Sequence, residues 1–304
     1  MVKEIKIILA GGLGNQLFQL AGGISKAGDS NLEILFGITS CTLGPDGFPI
    51  IKSYLKNDSQ IRYRELRYSF LWKIIVNITL RIRGGHFGKI FLNFDSQLNK
   101  ALTGIINLYV YETSRSQEVS QGRLEVLVGY FQSEEFVGES VTRLRELATS
   151  DQESHWVKEM RLKSKIEFPL VVHVRLGDYL KEENIGVPTK LYFAAAIEKA
   201  WESGNYKKIW LFSNDNDTVI EFIPEWCIPF CEVIKHPNDD DLETFDVMRL
   251  GSGFVISNST FSWWAARLAH DFEARVFAPY PWFANLSFLE GIYPNSWRKI
   301  PSGY

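Results

Sequence analysis

The chain has 304 residues, enough for two compact domains, and its 45% hydrophobic and 23% charged residues exclude a disordered or collagen-like chain. It carries 33 lysines and arginines against 36 aspartates and glutamates, and this net charge of -3 gives no overall electrostatic reason to bind nucleic acid. The three cysteines, Cys41, Cys227 and Cys231, are an odd number, which argues against a disulfide framework.

The sequence predicts neither a signal peptide nor a membrane span. The amino-terminal apolar run is short and is followed by Gly11 and Gly12. The longest apolar candidate, residues 71–80, contains Lys73 and Asn77 and falls well short of the roughly 20 residues that span a bilayer. We therefore expect a cytoplasmic protein, or one bound peripherally to the inner face of the plasma membrane.

Short runs rich in valine and isoleucine alternate with segments of helical periodicity, a pattern that predicts mainly parallel sheets in an α/β fold. The predicted strands cover residues 5–9, 124–131, 170–174, 209–212, 254–256 and 276–277. The predicted helices cover residues 15–26, 191–201, 217–222 and 260–269. Between residues 38 and 120 the pattern weakens, and we expect irregular or helical insertions there. The polar segment 150–169 is the expected connection between two domains.

The first predicted strand runs into a glycine-rich turn, Gly11-Gly12-Leu13-Gly14-Asn15-Gln16. Glycines at such a turn let the backbone approach a ligand and aim helix N–H groups at it. A dinucleotide-binding turn would need a further glycine at position 17, which is leucine here, so a nicotinamide-dependent oxidoreductase is disfavoured. A tight turn with helix capping is the structural alternative.

The strand at 170–174 continues into His173-Val174-Arg175-Leu176-Gly177-Asp178-Tyr179. Residues two apart on a strand share a face, so His173 and Arg175 are expected to point the same way. At the carboxyl end of a parallel strand this face usually meets the ligand crevice, and the guanidinium fork of arginine suits phosphate oxygens. An internal ion pair between Arg175 and Asp178 is the alternative.

Two further turns carry clusters of small polar residues. Residues 257–260, Ser-Asn-Ser-Thr, precede a predicted helix and exceed what capping needs, which favours contact with a phosphate, whereas Trp263 and Trp264 are expected to pack inside the protein. Residues 212–216, which include Ser213, follow another predicted strand, and turn and cap chemistry could account for all of them.

Three other patterns favour structural roles or stay open. The acidic residues 239–243, with Asp246, are typical of a solvated loop or helix start rather than a metal site. Cys227, Cys231 and His236 lack a fourth ligand and a zinc-like spacing. Residues 62–89 are basic with interleaved apolar residues, and predict either a contact with an anionic membrane or an amphipathic helix with a solvated face.

Four motifs together resemble glycosyltransferase family 11, the GDP-fucose-dependent alpha-1,2-fucosyltransferases of bacterial type. They are GGLGNQLFQLA at 11–21, HVRLGDY at 173–179, FSND at 212–215 and SNSTFSWWAA at 257–266. The resemblance implies a GT-B fold with two Rossmann-like domains facing a cleft. The expected domains are an acceptor-side domain over residues 1–155, which carries the basic or helical insertion, and a GDP-fucose-binding domain over residues 156–304.

The family motifs imply roles for several residues of the donor domain. Arg175 would bind the diphosphate of GDP-fucose and stabilise the departing GDP in place of a metal ion, so no metal cofactor is expected. His173 would contact the sugar or the nucleotide. Asn258 would shape its turn, and the residues closing around the phosphates would be Ser259, Thr260 and Phe261. Ser213 is expected at the donor site, and Asp246 or Asp241 is expected to recognise guanine.

In the other domain, Gly12 and Gly14 would line the donor and Asn15 would lie near the reacting centre. The implied reaction is an inverting transfer of L-fucose to the 2-hydroxyl of a terminal galactoside, in a surface polysaccharide such as an O-antigen or in a lipid-linked oligosaccharide. The acceptor hydroxyl must lose a proton, and Asp178, His173, Glu182 and Glu183 are the available bases. A non-catalytic nucleotide-sugar or glycan-binding protein is the alternative. Leu176 stands where the family often has a second basic residue.

Overall fold

The computed structural model describes residues 4–37, 39–66, 107–111, 124–148, 153–177, 179, 184–285 and 290–304. It divides the chain into two compact units, Met1–Thr149 and Ser150–Tyr304. The predicted boundary after residue 155 falls inside the second unit. Much of the segment 150–169, expected as a connection, is the helix His155–Glu167 of that unit, because Ser154 caps the helix by accepting from Val157 N.

The first unit is built on a parallel sheet with the strand order β3-β2-β1-β5-β4. Its strands are β1 Glu4–Ile8, β2 Leu32–Phe36, β3 Ile61–Glu65, β4 Asn107–Tyr111 and β5 Leu124–Gly129. Its helices are α1 Leu13–Ala27, α2 Ile50–Tyr54, α3 Glu134–Val137 and α4 Val141–Leu147. The helix α1 buries Leu17, Phe18 and Leu20 completely, and these side chains belong to the core of the unit.

The second unit is built on a parallel sheet with the strand order β11-β10-β9-β6-β7-β8. Its strands are β6 Leu170–Val174, β7 Ile209–Ser213, β8 Cys231–Val233, β9 Gly253–Val255, β10 Arg275–Tyr280 and β11 Arg298–Pro301. Its helices are α5 His155–Glu167, α6 Lys190–Ser203, α7 Asp241–Met248 and α8 Thr260–Arg267. Short 3-10 helices cover Val219–Phe222, Glu225–Phe230 and Glu290–Ile292.

The central strands of the second unit are buried on both faces, which is why they stand out as continuous apolar runs. All five residues of β6 are buried, and the core around them contains Leu211, Val255, Phe277 and Phe193. The six predicted strands are confirmed, β6 with the predicted bounds and the others with shifts at their ends. Three of the predicted helices are confirmed, whereas residues 217–222 form only a 3-10 turn at Val219–Phe222.

The expectation of irregular or helical insertions between residues 38 and 120 was incomplete, because β3 and β4 lie there beside the short helix α2. The strand β3 is at the edge of its sheet and leaves Arg62 and Arg64 exposed, so its sequence lacks an apolar run. The beginning of the basic stretch 62–89 is therefore strand. Its remainder, from residue 67 onward, lies outside the described residues.

Candidate active site

The strand β6 lies between β9 and β7, and all three strands run in parallel. Their carboxyl ends therefore meet at one edge of the sheet, where α/β proteins bind ligands. This edge gathers the turn after β6, the turn after β7 and the turn between β9 and α8. The motifs at 173–179, 212–215 and 257–261 are thus brought together in space, although more than forty residues separate some of them along the chain.

His173 is buried at the end of β6, and its Nδ1 lies 2.9 Å from Ser257 Oγ. Burial, assisted by the nearby charge of Arg175, lowers the pKa of His173 to about 3. The imidazole is therefore uncharged at neutral pH. It can orient a neighbour or a ligand by hydrogen bonding, but it is a weaker base than an ordinary histidine.

Arg175 follows β6 and is half-buried, with its guanidinium carbon 5.4 Å from the centre of the Tyr179 ring. This is within the range of a cation–π contact. The predicted alternative partner, Asp178, lies outside the described residues, as do Glu182 and Glu183. Arg175 is the cation that the sequence predicted at this strand end, and the structure sets it beside the two neighbouring turns.

The turn between β9 and α8 combines a buried backbone with an open helix end. Ser259 is the N-cap residue of α8, but its side chain makes no cap hydrogen bond, and the first turn of the helix contains no acidic residue. The first N–H groups of a helix have no partner inside the helix, and they carry its positive dipole end. Thr260 is half-buried at the same end. An anion can therefore be bound here by N–H groups and hydroxyls.

Asn258 joins this turn to other parts of the second unit. Its side chain is fully buried, and its Nδ2 lies 2.9 Å from Gly186 O and 2.9 Å from Tyr304 Oη. Its Oδ1 has no hydrogen-bond partner in the described structure. Phe261 follows in the helix, with its ring centre 6.3 Å from that of His173 and 5.1 Å from that of Phe245.

The two acidic candidates for guanine recognition differ in their surroundings. Asp246 lies 3.0 Å from Arg249, which is almost completely buried, so the carboxylate takes part in an internal ion pair. Asp241 begins α7, and burial raises its pKa, as do the neighbouring Asp240 and Asp239, whereas Arg175 lowers it. Asp241 is therefore the candidate that lies within electrostatic range of Arg175.

Both nitrogens of His236 are occupied inside the protein. Its Nδ1 accepts from the backbone N–H groups of Asn238 and Asp240, at 3.1 and 3.0 Å, and its Nε2 lies 3.0 Å from Glu243 Oε2. These contacts fix the loop that leads into α7. Among the described residues, no group of three or more histidine, cysteine, aspartate or glutamate side chains could hold a metal ion.

The glycine-rich turn lies in the first unit, at the carboxyl end of β1. Gly11 has φ +76°, a conformation that favours glycine. Gly12 is the N-cap residue of α1, with no side chain to cap it, and Gly14 is buried in the first turn of the helix. Asn15 Oδ1 accepts a hydrogen bond from Gln132 Nε2 at 3.1 Å. Sequence analysis did not identify Gln132, which follows a different strand, β5.

The two glutamines of this motif hold the protein itself together. Gln16 is fully buried, and its Nε2 donates to Gly11 O and Thr42 O, both at 2.9 Å. Its Oε1 accepts from Ile51 N at 3.1 Å. Gln19 likewise joins the ends of two strands, since it accepts from Ala10 N and donates to Gly129 O. Much of the GGLGNQLFQ motif is therefore structural.

The model of glycosyl transferase family 11 matches residues 107–300. The chain belongs to glycosyltransferase family 11. The resemblance predicted from the motifs is thereby confirmed.

Relatives of this family 11 protein include an enzyme from Escherichia coli, named alpha-1,2-colitosyltransferase. It is 28% identical over 294 residues, covering 90% of this chain and 91% of the relative. Its name describes the transfer of colitose through an alpha-1,2 linkage.

Two similar solved structures are fucosyltransferases. NodZ alpha-1,6-fucosyltransferase soaked with GDP-fucose, from Bradyrhizobium, has a TM-score of 0.51 and 14% identity, covering 88% of this chain and 93% of that one. A variant of Arabidopsis thaliana FUT1 in complex with GDP has a TM-score of 0.51 and 12% identity, covering 91% of this chain and 70% of that one. These similarities, with the parallel sheets of both units, confirm the predicted GT-B class of α/β fold. In the described part of this family 11 protein, no helix is long and apolar enough to cross a membrane.

Proposed function

We propose that this protein is an inverting alpha-1,2-fucosyltransferase that moves L-fucose from GDP-fucose to the 2-hydroxyl of a terminal galactoside. The observation that carries the proposal is that Arg175 follows β6 at the same sheet edge at which α8, with no side-chain cap on its first N–H groups, follows the neighbouring strand β9. A guanidinium and a set of helix N–H groups are a suitable receptor for a diphosphate. Membership of family 11 supports a sugar transferase, and the named relative supports the alpha-1,2 linkage.

Arg175 would act on the leaving group. Negative charge accumulates on the departing GDP in the transition state, and a fixed cation in a sheltered site stabilises that charge without reorganisation. Ser259 and Thr260 would hold the phosphate oxygens from the other side of the site, with Phe261 closing over them. In this proposal the arginine supplies the positive charge that a divalent ion supplies in other transferases.

His173 would position the donor rather than take the proton of the acceptor. Burial lowers the pKa of His173, so its imidazole is a poorer proton acceptor than that of an ordinary histidine. The proposed proton acceptor therefore lies among the acidic residues that follow Arg175 in the sequence, of which Asp178 is the first.

Colitose is the second candidate for the transferred sugar, because the Escherichia coli relative is named for it. Colitose is fucose without its 3-hydroxyl group, so the two donors differ by one polar group. We propose GDP-fucose as the donor because the family motifs are those of fucosyltransferases. The proposed setting is the synthesis of a surface polysaccharide such as an O-antigen, on the cytoplasmic side of the membrane.

A donor and acceptor screen tests the proposal. The purified protein is offered GDP-fucose, GDP-colitose and GDP-mannose with a panel of galactosides, in the presence of EDTA, and the product linkage is determined by NMR. We expect an alpha-1,2-linked fucoside that is lost in Arg175→Ala. Preferential transfer of colitose would identify the second donor. Binding of GDP-sugar with no transfer to any acceptor would favour the non-catalytic alternative, and a requirement for a metal ion would contradict the role of Arg175.

A further inference from the structure

The turn after β7 holds the backbone on both sides of Arg175. Ser213 Oγ donates to Val174 O at 2.8 Å, just before the arginine. Asn214 Oδ1 accepts from Leu176 N at 2.8 Å, just after it. The two residues come from the neighbouring strand, on which Ser213 is paired with Val174. Arg175 is therefore flanked by two hydrogen bonds from a single dipeptide.

These bonds are not needed by the turn after β7 itself. That turn is already closed by Asp215 N, which donates to Ser213 Oγ at 3.0 Å, and by Thr218 N, which donates to Asp215 Oδ1 at 3.3 Å. Ordinary turn and cap chemistry accounts for those two contacts. It does not account for the bonds to Val174 and Leu176, which join segments nearly forty residues apart.

Gly177 shows how closely Asn214 fits against the arginine turn. The glycine has φ +54°, and a Cβ atom built on it would lie 2.4 Å from Asn214 Nδ2. No side chain at position 177 can occupy that space while Asn214 keeps its place. Glycine at this position of the HVRLGDY motif is therefore favoured both by the positive φ and by the close approach of Asn214.

We propose that Ser213 and Asn214 are positioning residues that direct the Arg175 guanidinium toward the diphosphate. A long arginine side chain reaches its target only if the backbone that carries it is fixed, and displacement of a reacting group by about 1 Å can cost 100-fold in rate. Ser213 is therefore assigned to the backbone of β6, not to direct contact with the donor. The inference rests on the proposed function, since it needs a diphosphate for Arg175 to bind.

The preference for GDP over GMP tests the proposed contact between Arg175 and the diphosphate. Both nucleotides carry guanosine and a first phosphate, but only GDP carries a second. The ratio of their dissociation constants therefore measures recognition of the second phosphate, and we propose that Arg175 provides this recognition. We expect Ser213→Ala and Asn214→Ala each to reduce this preference about fivefold, the effect of one net hydrogen bond. Ser213→Thr retains the hydroxyl and should retain the preference.

A double-mutant cycle separates positioning from general stability. If Ser213 acts through Arg175, then Ser213→Ala changes nothing further in an Arg175→Ala background. Ser203→Ala is the matched control, because Ser203 Oγ also donates to a backbone carbonyl, that of Ala200 at 3.0 Å, at the end of α6. It should leave the nucleotide preference unchanged. Binding is measured by titration calorimetry on variants that melt as a single transition.

The outcomes distinguish the two proposals. An unaltered protein that binds GDP no better than GMP would overturn both the diphosphate site and the positioning role. An unaltered protein that prefers GDP, with the same preference in Ser213→Ala and Asn214→Ala, would overturn the positioning role alone. Equal effects of Ser213→Ala with and without Arg175 would also overturn it, because the serine would then act independently of the arginine.

Discussion

The protein contains two strand-to-helix turns that are both rich in small and amide-bearing residues but differ in their hydrogen bonding. The turn from β1 to α1 uses its glutamines internally, since Gln16 bonds Gly11, Thr42 and Ile51. The turn from β9 to α8 leaves the Ser259 side chain without a cap bond and Asn258 Oδ1 without a partner. Both helices begin at a residue that makes no side-chain cap bond, so the turns differ in their side chains: Gln16 is used within the protein, whereas Asn258 Oδ1 has no partner in the described structure.

This difference shows how a polar motif should be interpreted. Small and amide-bearing residues after a parallel strand satisfy two needs, because they can close the turn or bind an anion. The choice depends on whether other parts of the chain use their hydrogen-bonding capacity. In the β9–α8 turn, Ser257 bonds His173 and Asn258 bonds Gly186. These contacts within the protein use only part of the hydrogen-bonding capacity of the motif.

The largest expected effect tests whether the open turn and Arg175 form one anion site. Arg175→Ala should lower kcat for transfer from GDP-fucose by about 100- to 1000-fold, as for other removals of a donor that stabilises a developing charge. Steady-state kinetics measures it. Arg161→Ala is the control, because Arg161 belongs to the helix α5 and forms an ion pair with Glu153. An Arg175→Ala enzyme as active as the unaltered protein would contradict the proposed site.

The next effect tests whether the β1–α1 turn is purely structural. Gln16→Leu keeps the volume but leaves the Ile51 N–H without a partner, and a buried group in that state costs about 1–3 kcal/mol. Gly11 O and Thr42 O each lose one hydrogen bond and keep another, from Thr42 N and Ile50 N. We therefore expect the free energy of unfolding to fall by about 1–3 kcal/mol. Urea unfolding measures it. An unchanged midpoint would show that this turn is not held by Gln16.

The buried histidine provides a pH test of the second turn. Burial lowers the pKa of His173 from 6.5 to about 3. Between pH 6.5 and pH 3 the imidazole is therefore protonated in the unfolded chain but not in the folded protein. The free energy of unfolding should thus fall as pH drops below 6.5, by about 1 kcal/mol per pH unit from this group. His173→Asn, which retains a partner for Ser257, should show a shallower fall in urea unfolding from pH 7 to pH 4. Equal slopes would refute this contribution.

The smallest effect separates ligand binding from capping at α8. Ser259→Ala removes a hydroxyl that makes no cap bond, so the melting temperature should stay unchanged while GDP affinity falls about fivefold. Thr189→Ala is the matched control, because Thr189 Oγ1 accepts from Tyr192 N at the start of α6. It should lose about 1 kcal/mol of stability and keep its GDP affinity. The reverse pattern would assign Ser259 to capping.

The sequence predicted the central strands of the second unit, which are buried on both faces of the sheet. The strands β6, β7 and β9 are apolar runs because both of their faces are covered, and such runs are visible without a structure. The edge strand β3 was missed because only a minority of its residues contribute to the core, so its polar and apolar residues do not mark it as a strand. The strand β4 is the other edge strand of this sheet and lies within a weakly patterned region of the sequence.

The site was predictable where single residues carry recognisable chemistry, as Arg175 and His173 do. Asn214 and Gln132 were missed, because an amide in a turn is explained equally well by local capping. Asp246 was named for guanine, and its ion pair with the buried Arg249 depends on a contact made on folding. The distinctive side chains of Arg175 and His173 therefore indicated the candidate site, but not the residues that support it.

By itself, the sequence determined the parallel α/β architecture, the family and the cation at the end of β6, because these depend on local periodicity and on residue type. Only the tertiary structure decided which polar groups remain for a ligand. That decision depends on pairs far apart along the chain, such as Gln16 with Ile51, His173 with Ser257 and Ser213 with Val174. A hydrogen-bonding group is available to a substrate only after the fold has left it without a partner.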